Sequence, residues 1–238
     1  MAAILNIETA TPLCSVALAI KGEVIALRET LEEKSHAARL TVFIEEILKE
    51  TGLKISDLDA IAVGKGPGSY TGLRIGVSTA KGLCYGANIP LIAVNTLKIL
   101  YQQVIVSPDH LIRETLANPD TLLCPMIDAR RMEVFTCLFN TFGDEVESVA
   151  ARIIGPDSYK IMLSGHTIIF FGSGMDKCKG FLAERRAILA PDVYPHSASL
   201  ALLAEDKYNQ NEFEDIAYFE PFYLKDFVAT ISKKGVSV

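Results

Sequence analysis

Apolar positions along this chain follow two rhythms. Residues 3 to 8 (AILNIE) and 13 to 20 (LCSVALAI) are short apolar runs separated by TATP, and KGE at 21 to 23 turns into a third run, VIALRET. Runs of this length bounded by turn residues predict a β-meander. Past residue 35 the rhythm changes: Leu40, Phe43, Ile44, Ile47 and Leu48 recur at intervals of three and four, the spacing of one helix face, with Ser35 as cap and Gly52 as stop. DAIAVG at 59 to 64 predicts a buried strand, followed by a helix that Ser69 or Thr71 can cap and Gly86 can end, and by a second buried strand, PLIAV, at 90 to 94. Asn95 caps a further helix holding Leu97, Leu100, Tyr101 and Val104. Strands alternating with helices predict an α/β fold.

The polar, proline-punctuated stretch SPDHLIRETLANPD marks a boundary between an N-terminal lobe, residues 1–104, and a second lobe, 105–215. Beyond it LLCPMIDA, EVFTCLF and a segment near 146 to 154 predict a second strand series. HTIIFFGSGMDKCKGFLAERR reads strand, turn, helix, and HSASLALLAEDKYN reads as another helix. The tail EPFYLKDF has no strong periodicity, and a C-terminal segment of about 216–232 is expected to rejoin the first lobe. Both halves open with strands and meander turns, which predicts a duplicated α/β lobe.

A net charge of −6 argues against a free-standing nucleic-acid binder, which needs a cationic footprint. The five cysteines are odd in number, widely spaced and without a CxxC pair, which fits a reduced cytosolic setting. No apolar run approaches the length of a bilayer span and no basic leader precedes an apolar core, so a soluble cytoplasmic protein is expected. A positive mean hydropathy, +0.27, suggests apolar surface covered by a partner.

The stretch AVGKGPGSYTGLRIGVSTAKG, residues 62 to 82, concentrates the glycines. It lacks the GxxxxGK[ST] of a Walker loop, the GxGxxG of a dinucleotide fold and the GxSxG of a hydrolase elbow. What remains is a tight strand-to-helix turn whose N–H groups could also receive an anion. In the helix after it, Gly72, Gly76 and Ala80 recur every four residues, beside Leu73, Val77 and Leu83. Each glycine there costs about 1 kcal/mol relative to alanine, so close approach of another backbone is expected. Spacing alone supports packing within the lobe and contact between subunits equally.

Other candidate chemistry is sparse. Glu8, Thr9 and Thr11 stand at the end of the first strand, where an acid is either solvated or set near phosphate. His36, His110, His166 and His196 form no HxxxH or HExxH pair. DARRMEVF concentrates Asp128, Arg130, Arg131 and Glu133, as a salt-bridged turn or an anion contact. FGSG at 171 to 174, between a strand and a helix, could receive adenosine or phosphate.

Taken in order, ILNIETATPLCSVAL, SHAARL, GKGPGSYTGLRIGVSTAKGL, IPLIAVNTL, DARRMEVF and PFYLKDF resemble the successive signatures of the TsaB, or YeaZ, family, with 103 to 121 and 140 to 165 matching less. The resemblance implies two ribonuclease-H-like lobes of the actin-like, sugar-kinase and Hsp70 superfamily. It implies a part in making threonylcarbamoyladenosine (t6A) at adenosine 37 of tRNA. The catalytic relative TsaD transfers the threonylcarbamoyl group from its adenylate and holds a metal through HxxxH; the matching positions here are Thr96 and Leu100, without an imidazole. A non-catalytic, metal-free scaffold subunit is therefore expected, with TsaD as partner, TsaE joining, a homodimer in the absence of TsaD, and tRNA contacted only indirectly. The implied interface residues are His36, Leu40, Gly72, Leu73, Gly76, Val77, Ala80 and Leu83. No intrinsic cofactor is expected; ATP or ADP at the level of the complex would lie near Thr9, Thr11, Gly66, Gly68, Ser69, Gly172, Ser173 and Gly174. The competing reading is an ATP-dependent transferase or peptidase of the same superfamily acting alone.

Overall fold

Ala3–Glu8 (β1) is buried along nearly its whole length because it lies at the centre of a sheet covered on both faces. The computed structural model describes residues 2–32 and 35–225. Cys14–Ile20 (β2) and Glu23–Thr30 (β3) run antiparallel beside β1, joined at Lys21 and Gly22, both with left-handed backbone. Ala60–Gly66 (β4) and Leu91–Asn95 (β5) pair in parallel on the other side, giving the order β3-β2-β1-β4-β5. Parallel neighbours need crossover connections. These are helices α1 (His36–Thr51) and α2 (Tyr70–Ala87), each burying one face.

The ends of these helices depart in part from the sequence reading. Gly52 ends α1 in the left-handed conformation, φ 71°, and Ser69 caps α2 by accepting the Gly72 N–H. Ser35, in contrast, donates its hydroxyl to the Glu32 carbonyl and gives α1 no side-chain cap. Asn88, not Gly86, stops α2, because its left-handed backbone turns the chain back toward β5.

Thr121–Asp128 (β6), Glu133–Asn140 (β7) and Glu145–Ile153 (β8) form a second meander; Thr167–Phe171 (β9) adds in parallel to β6, and Ala187–Ala190 (β10) in parallel to β9. The order β8-β7-β6-β9-β10 repeats the order of the first sheet. The protein therefore has two ribonuclease-H-like lobes. Three elements were not legible: β10, α5 (Lys160–Gly165) and α4 (His110–Leu116), the last inside the stretch read as an irregular boundary and capped by Asp109.

Helix α3 (Thr96–Ile105), capped by Asn95, and helix α7 (Ser197–Asn209) lie between the sheets. Leu200 and Ala204 of α7, with Ile99 of α3, cover Ile4, Ala62, Ile92 and Val94 on the inner face of the first sheet. Leu97, Leu100 and Val104 on α3 pack against Leu123, Phe139 and Ile169 of the second. Helices α1 and α2 cover the outer face of the first sheet; α5 and α6 (Lys179–Leu182) cover that of the second. The reading that ended the second lobe at residue 215 is corrected for α7, whose apolar face fits the first sheet. Past it Glu214 bridges Leu91 and Phe219 joins the core under α2. Of the expected returning segment, residues 226–232 lie outside the described residues. Among the described residues no helix is long and apolar enough to cross a membrane.

Candidate functional site

The end of β1 and the glycine-rich turn after β4 form one unit. Gly72 and Gly76 face the segment after β1: a Cβ on Gly72 would lie 2.1 Å from the Thr9 carbonyl oxygen, and one on Gly76 would lie 2.2 Å from Thr9 Oγ1. That hydroxyl donates to the Gly72 carbonyl at 2.8 Å. A Cβ on Gly68 would meet the Ala10 carbonyl at 2.4 Å, and the same carbonyl accepts the Ser69 N–H at 2.7 Å. The backbone that the small-residue stripe admits is thus the chain's own. This corrects the expectation that Gly72, Gly76 and Ala80 meet a partner: all three are buried, as are Leu40, Leu73 and Val77. His36 is half-buried, its Nε2 against the Thr11 carbonyl at 2.9 Å.

Glu8 is fully buried beneath this turn. Its Oε1 accepts the Ala10 N–H at 2.6 Å, while Oε2 has no hydrogen-bond partner among the described residues and lies so close to Gly64 that a Cβ there would be 1.9 Å away. Burial raises its pKa from the ordinary 4.5 to about 7, against the pull of the backbone N–H groups of Ala10 and Thr9. A carboxyl so enclosed is a structural acid, not an open ligand for a metal–phosphate pair. The buried Thr11 hydroxyl is likewise without a partner.

The chain's own tail covers the far end of the turn. Lys81 Nζ donates to the Phe219 carbonyl at 2.8 Å, and Phe222 N–H donates to the Lys65 carbonyl at 2.7 Å. The Phe222 carbonyl sits 2.9 Å from where a Cβ on Gly66 would be, and Gly66 holds φ +106°. Tyr223 then stacks on Tyr70 with ring centres 5.1 Å apart, Leu224 packs on the second core, and Lys225 pairs with Glu133.

The positions aligned with the metal pair do not fit a metal. Thr96 is buried with its Oγ1 accepting the Gly66 N–H at 3.1 Å, and Leu100 is core. Among the described residues no three His, Cys, Asp or Glu side chains gather as a metal site.

The second candidate turn closes on its own sheet. Gly172, with φ +98°, and Gly174 press against Met126, Ile127 and Val134, and Ser173 Oγ accepts the Asp128 N–H at 3.3 Å. These three residues contact the end of β6, while Thr9, Gly68 and Ser69 gather at the end of β1 and Gly66, at the end of β4, faces Leu73 and Phe222. In the hairpin beside them the acids pair with distant lysines, Asp128 with Lys177 and Glu133 with Lys225, so the local salt-bridged turn is corrected. The arginines sit at φ 68° and 48°.

One polar cluster had no local signal in the sequence. Ser15 and Ser197, both fully buried, share a 2.7 Å hydroxyl contact, and His196 Nδ1 meets Glu29 Oε2 at 3.0 Å. These are the residue types of a hydrolytic triad without its geometry, since Ser15 bonds Ser197 and Glu29 and not the imidazole. The five cysteines are free and buried, and burial pushes the thiols up, to about 11 at Cys14 and about 12 at Cys84 and Cys124. None is an activated thiolate.

On the outer side, a cavity of about 590 Å³ opens in the seam between α1 and α2, lined by Thr41, Ile44, Leu48, Leu53, Thr79 and Leu83, with Glu45, Lys49 and Gly52. Of the implied interface residues, Leu83 alone lines it.

The family model described as "TsaD: tRNA N6-adenosine threonylcarbamoyltransferase" matches residues 29–233. The tRNA threonylcarbamoyladenosine biosynthesis protein TsaB of Escherichia coli K12 is 31% identical over 234 residues, covering 95% of this chain and 96% of its own. Its namesake in Haemophilus influenzae is 29% identical over 94% of each chain. Among solved structures, YeaZ from Pseudomonas aeruginosa superposes with a TM-score of 0.78 at 27% identity, covering 94% of this chain and 100% of its own. An uncharacterized Pseudomonas aeruginosa protein, described as similar to peptidase YEAZ, gives 0.80 at 26% with the same coverage.

Two predictions follow from the buried unit. Below pH 4.5 Glu8 is protonated folded and unfolded; between 4.5 and 7 only the unfolded chain releases the proton, so stability falls as pH rises and levels off above 7. Glu8→Gln should therefore be more stable than the native chain at pH 8, by about 3 kcal/mol, with the advantage vanishing near pH 4, as read by denaturant melts at both pH values. Gly76→Ala should lower stability by about 2 kcal/mol, because the methyl displaces the Thr9 hydroxyl from its bond to Gly72; an unchanged melting curve would remove the packing role given to the stripe.

Proposed function

Because the chain belongs to the TsaD family, as a member of its TsaB (YeaZ) branch, we propose that it is a non-catalytic subunit of the machinery that makes threonylcarbamoyladenosine on tRNA. The observation that carries the scaffold role is the apolar cavity in the α1–α2 seam. Its walls are mostly helix side chains on the outside of the first lobe, left open while the inner stripe of α2 is spent on Thr9. Exposed apolar concavities of this kind fit a partner's side chains. We assign it to TsaD, with a second copy of this chain taking the same seam when TsaD is absent and TsaE joining the assembly in the cytoplasm.

Three further observations support a non-catalytic role. Thr96 and Leu100 are occupied in the core, Glu8 is enclosed, and Ser15 is buried and bonded to Ser197 and Glu29 instead of the imidazole of His196. Nucleotide is assigned to the assembly and not to the lone chain, since the tail lies over Gly66.

Thr41→Arg combined with Thr79→Arg fills the seam from two residues that are not core, so the fold should hold within about 0.5 kcal/mol. Co-purification with TsaD should disappear, and a strain carrying only this variant should lack modified tRNA. Persistence of either would move the docking face elsewhere, and turnover of ATP or threonylcarbamoyl-adenylate by the purified chain alone would replace the scaffold reading with an enzyme. Calorimetry with ADP should show binding to the assembly and none to the isolated chain; binding to the chain by itself would overturn the assignment of nucleotide.

A further inference from the structure

The hairpin between β6 and β7 places two consecutive arginines in left-handed backbone, a conformation that asparagine or glycine adopts with less strain. Both are exposed, and among the described residues neither guanidinium has an ion-pair or hydrogen-bond partner. The acids that could neutralise them are committed: Asp128 to Lys177, and Glu133 to Lys225. Four cations therefore face two acids at this corner, although the chain as a whole carries −6.

The corner continues into aromatic surface. Lys225 lies two residues beyond Tyr223, whose ring stacks on Tyr70, and Arg74 lies 5.3 Å over the Tyr70 ring. Tyr70 and Tyr223 are 36% and 38% exposed. Guanidinium forks match phosphate oxygens in pairs, and exposed aromatic rings stack unpaired bases. An acidic protein face would satisfy the cations; a ligand that alternates phosphate and base uses both kinds of group.

We propose that this strip is an RNA-binding face, with Arg130 and Arg131 holding backbone phosphates and the exposed ring of Tyr223, backed by Tyr70, stacking a base. The proposal rests on the reading above in taking tRNA as the RNA, and it gives the chain a direct contact where the sequence led to an indirect one. The decisive variant is Arg130→Asn with Arg131→Gly, which removes both charges and suits the left-handed turn, so thermal stability should hold or rise. In the assembly with TsaD, affinity for a tRNA transcript should fall at least about tenfold at low salt, and the slope of log K against log salt should shrink by about two. Arg130→Lys with Arg131→Lys should keep the salt slope. Unchanged tRNA affinity and slope in the Asn-Gly variant would overturn the proposal. So would loss of TsaD association with tRNA affinity intact, which would make the corner a contact for an acidic protein. Should the native chain fail to join TsaD, the scaffold reading falls separately. Gel retardation of tRNA by the chain alone at low salt then decides this proposal: the native chain must retard it and the Asn-Gly variant must not.

Discussion

The first lobe is organised by the seating of Thr9 and Ala10 against glycines at 68, 72 and 76. A side chain at any of these would lie within 2.4 Å of an oxygen on the facing segment, so β1, the turn after β4 and α2 must be placed together. The Thr9 hydroxyl bond to Gly72 and the Ser69 N–H bond to Ala10 fix that placement. Glu8 is trapped beneath it, and its unsatisfied oxygen is the cost of closing the unit over a polar residue. One face of α2 is thereby consumed, and recognition is left to its outer face with α1.

The duplicated topology has a second consequence for the packing. Helix α3 follows the last strand of the first sheet and buries Leu97 and Leu100 on the second; helix α7 follows the last strand of the second sheet and buries Leu200 on the first. Each lobe's final helix thus serves the other lobe's sheet. The strand ends differ between the lobes: glycines and a buried acid at β1 and β4, an arginine hairpin after β6. Two copies of one topology have taken different chemical surfaces, as expected when function resides in sites grafted on a fold.

Much of this was legible in the sequence. The strand runs, the periodic face of α1 and the caps at Ser69 and Asn95 follow from local patterns that tertiary packing did not override. The spacing of Gly72, Gly76 and Ala80 signalled a close backbone correctly, but spacing carries no label saying whose backbone it is. Helix α4 was hidden because its residues are mostly exposed and only Ile112 is buried, which leaves no apolar period to read. The pairing of Ser15 with Ser197 spans 182 positions and has no local trace, and the enclosure of Glu8 depends on Gly64 from another strand.

The tail sets a geometric limit on the whole molecule. Phe222 is fastened to Lys65 at the end of β4, and Lys225 to Glu133 at the start of β7. Three residues of extended chain span on the order of 10 Å, so the strand ends of the two lobes are tethered at a nearly fixed separation. A hinge that spreads them must first release one fastening. The ion pair is the more exposed of the two and the one that salt weakens. The tail is in this sense a tie rod across the two lobes, held by a backbone hydrogen bond at one end and by the packing of Leu224 with an exposed ion pair at the other.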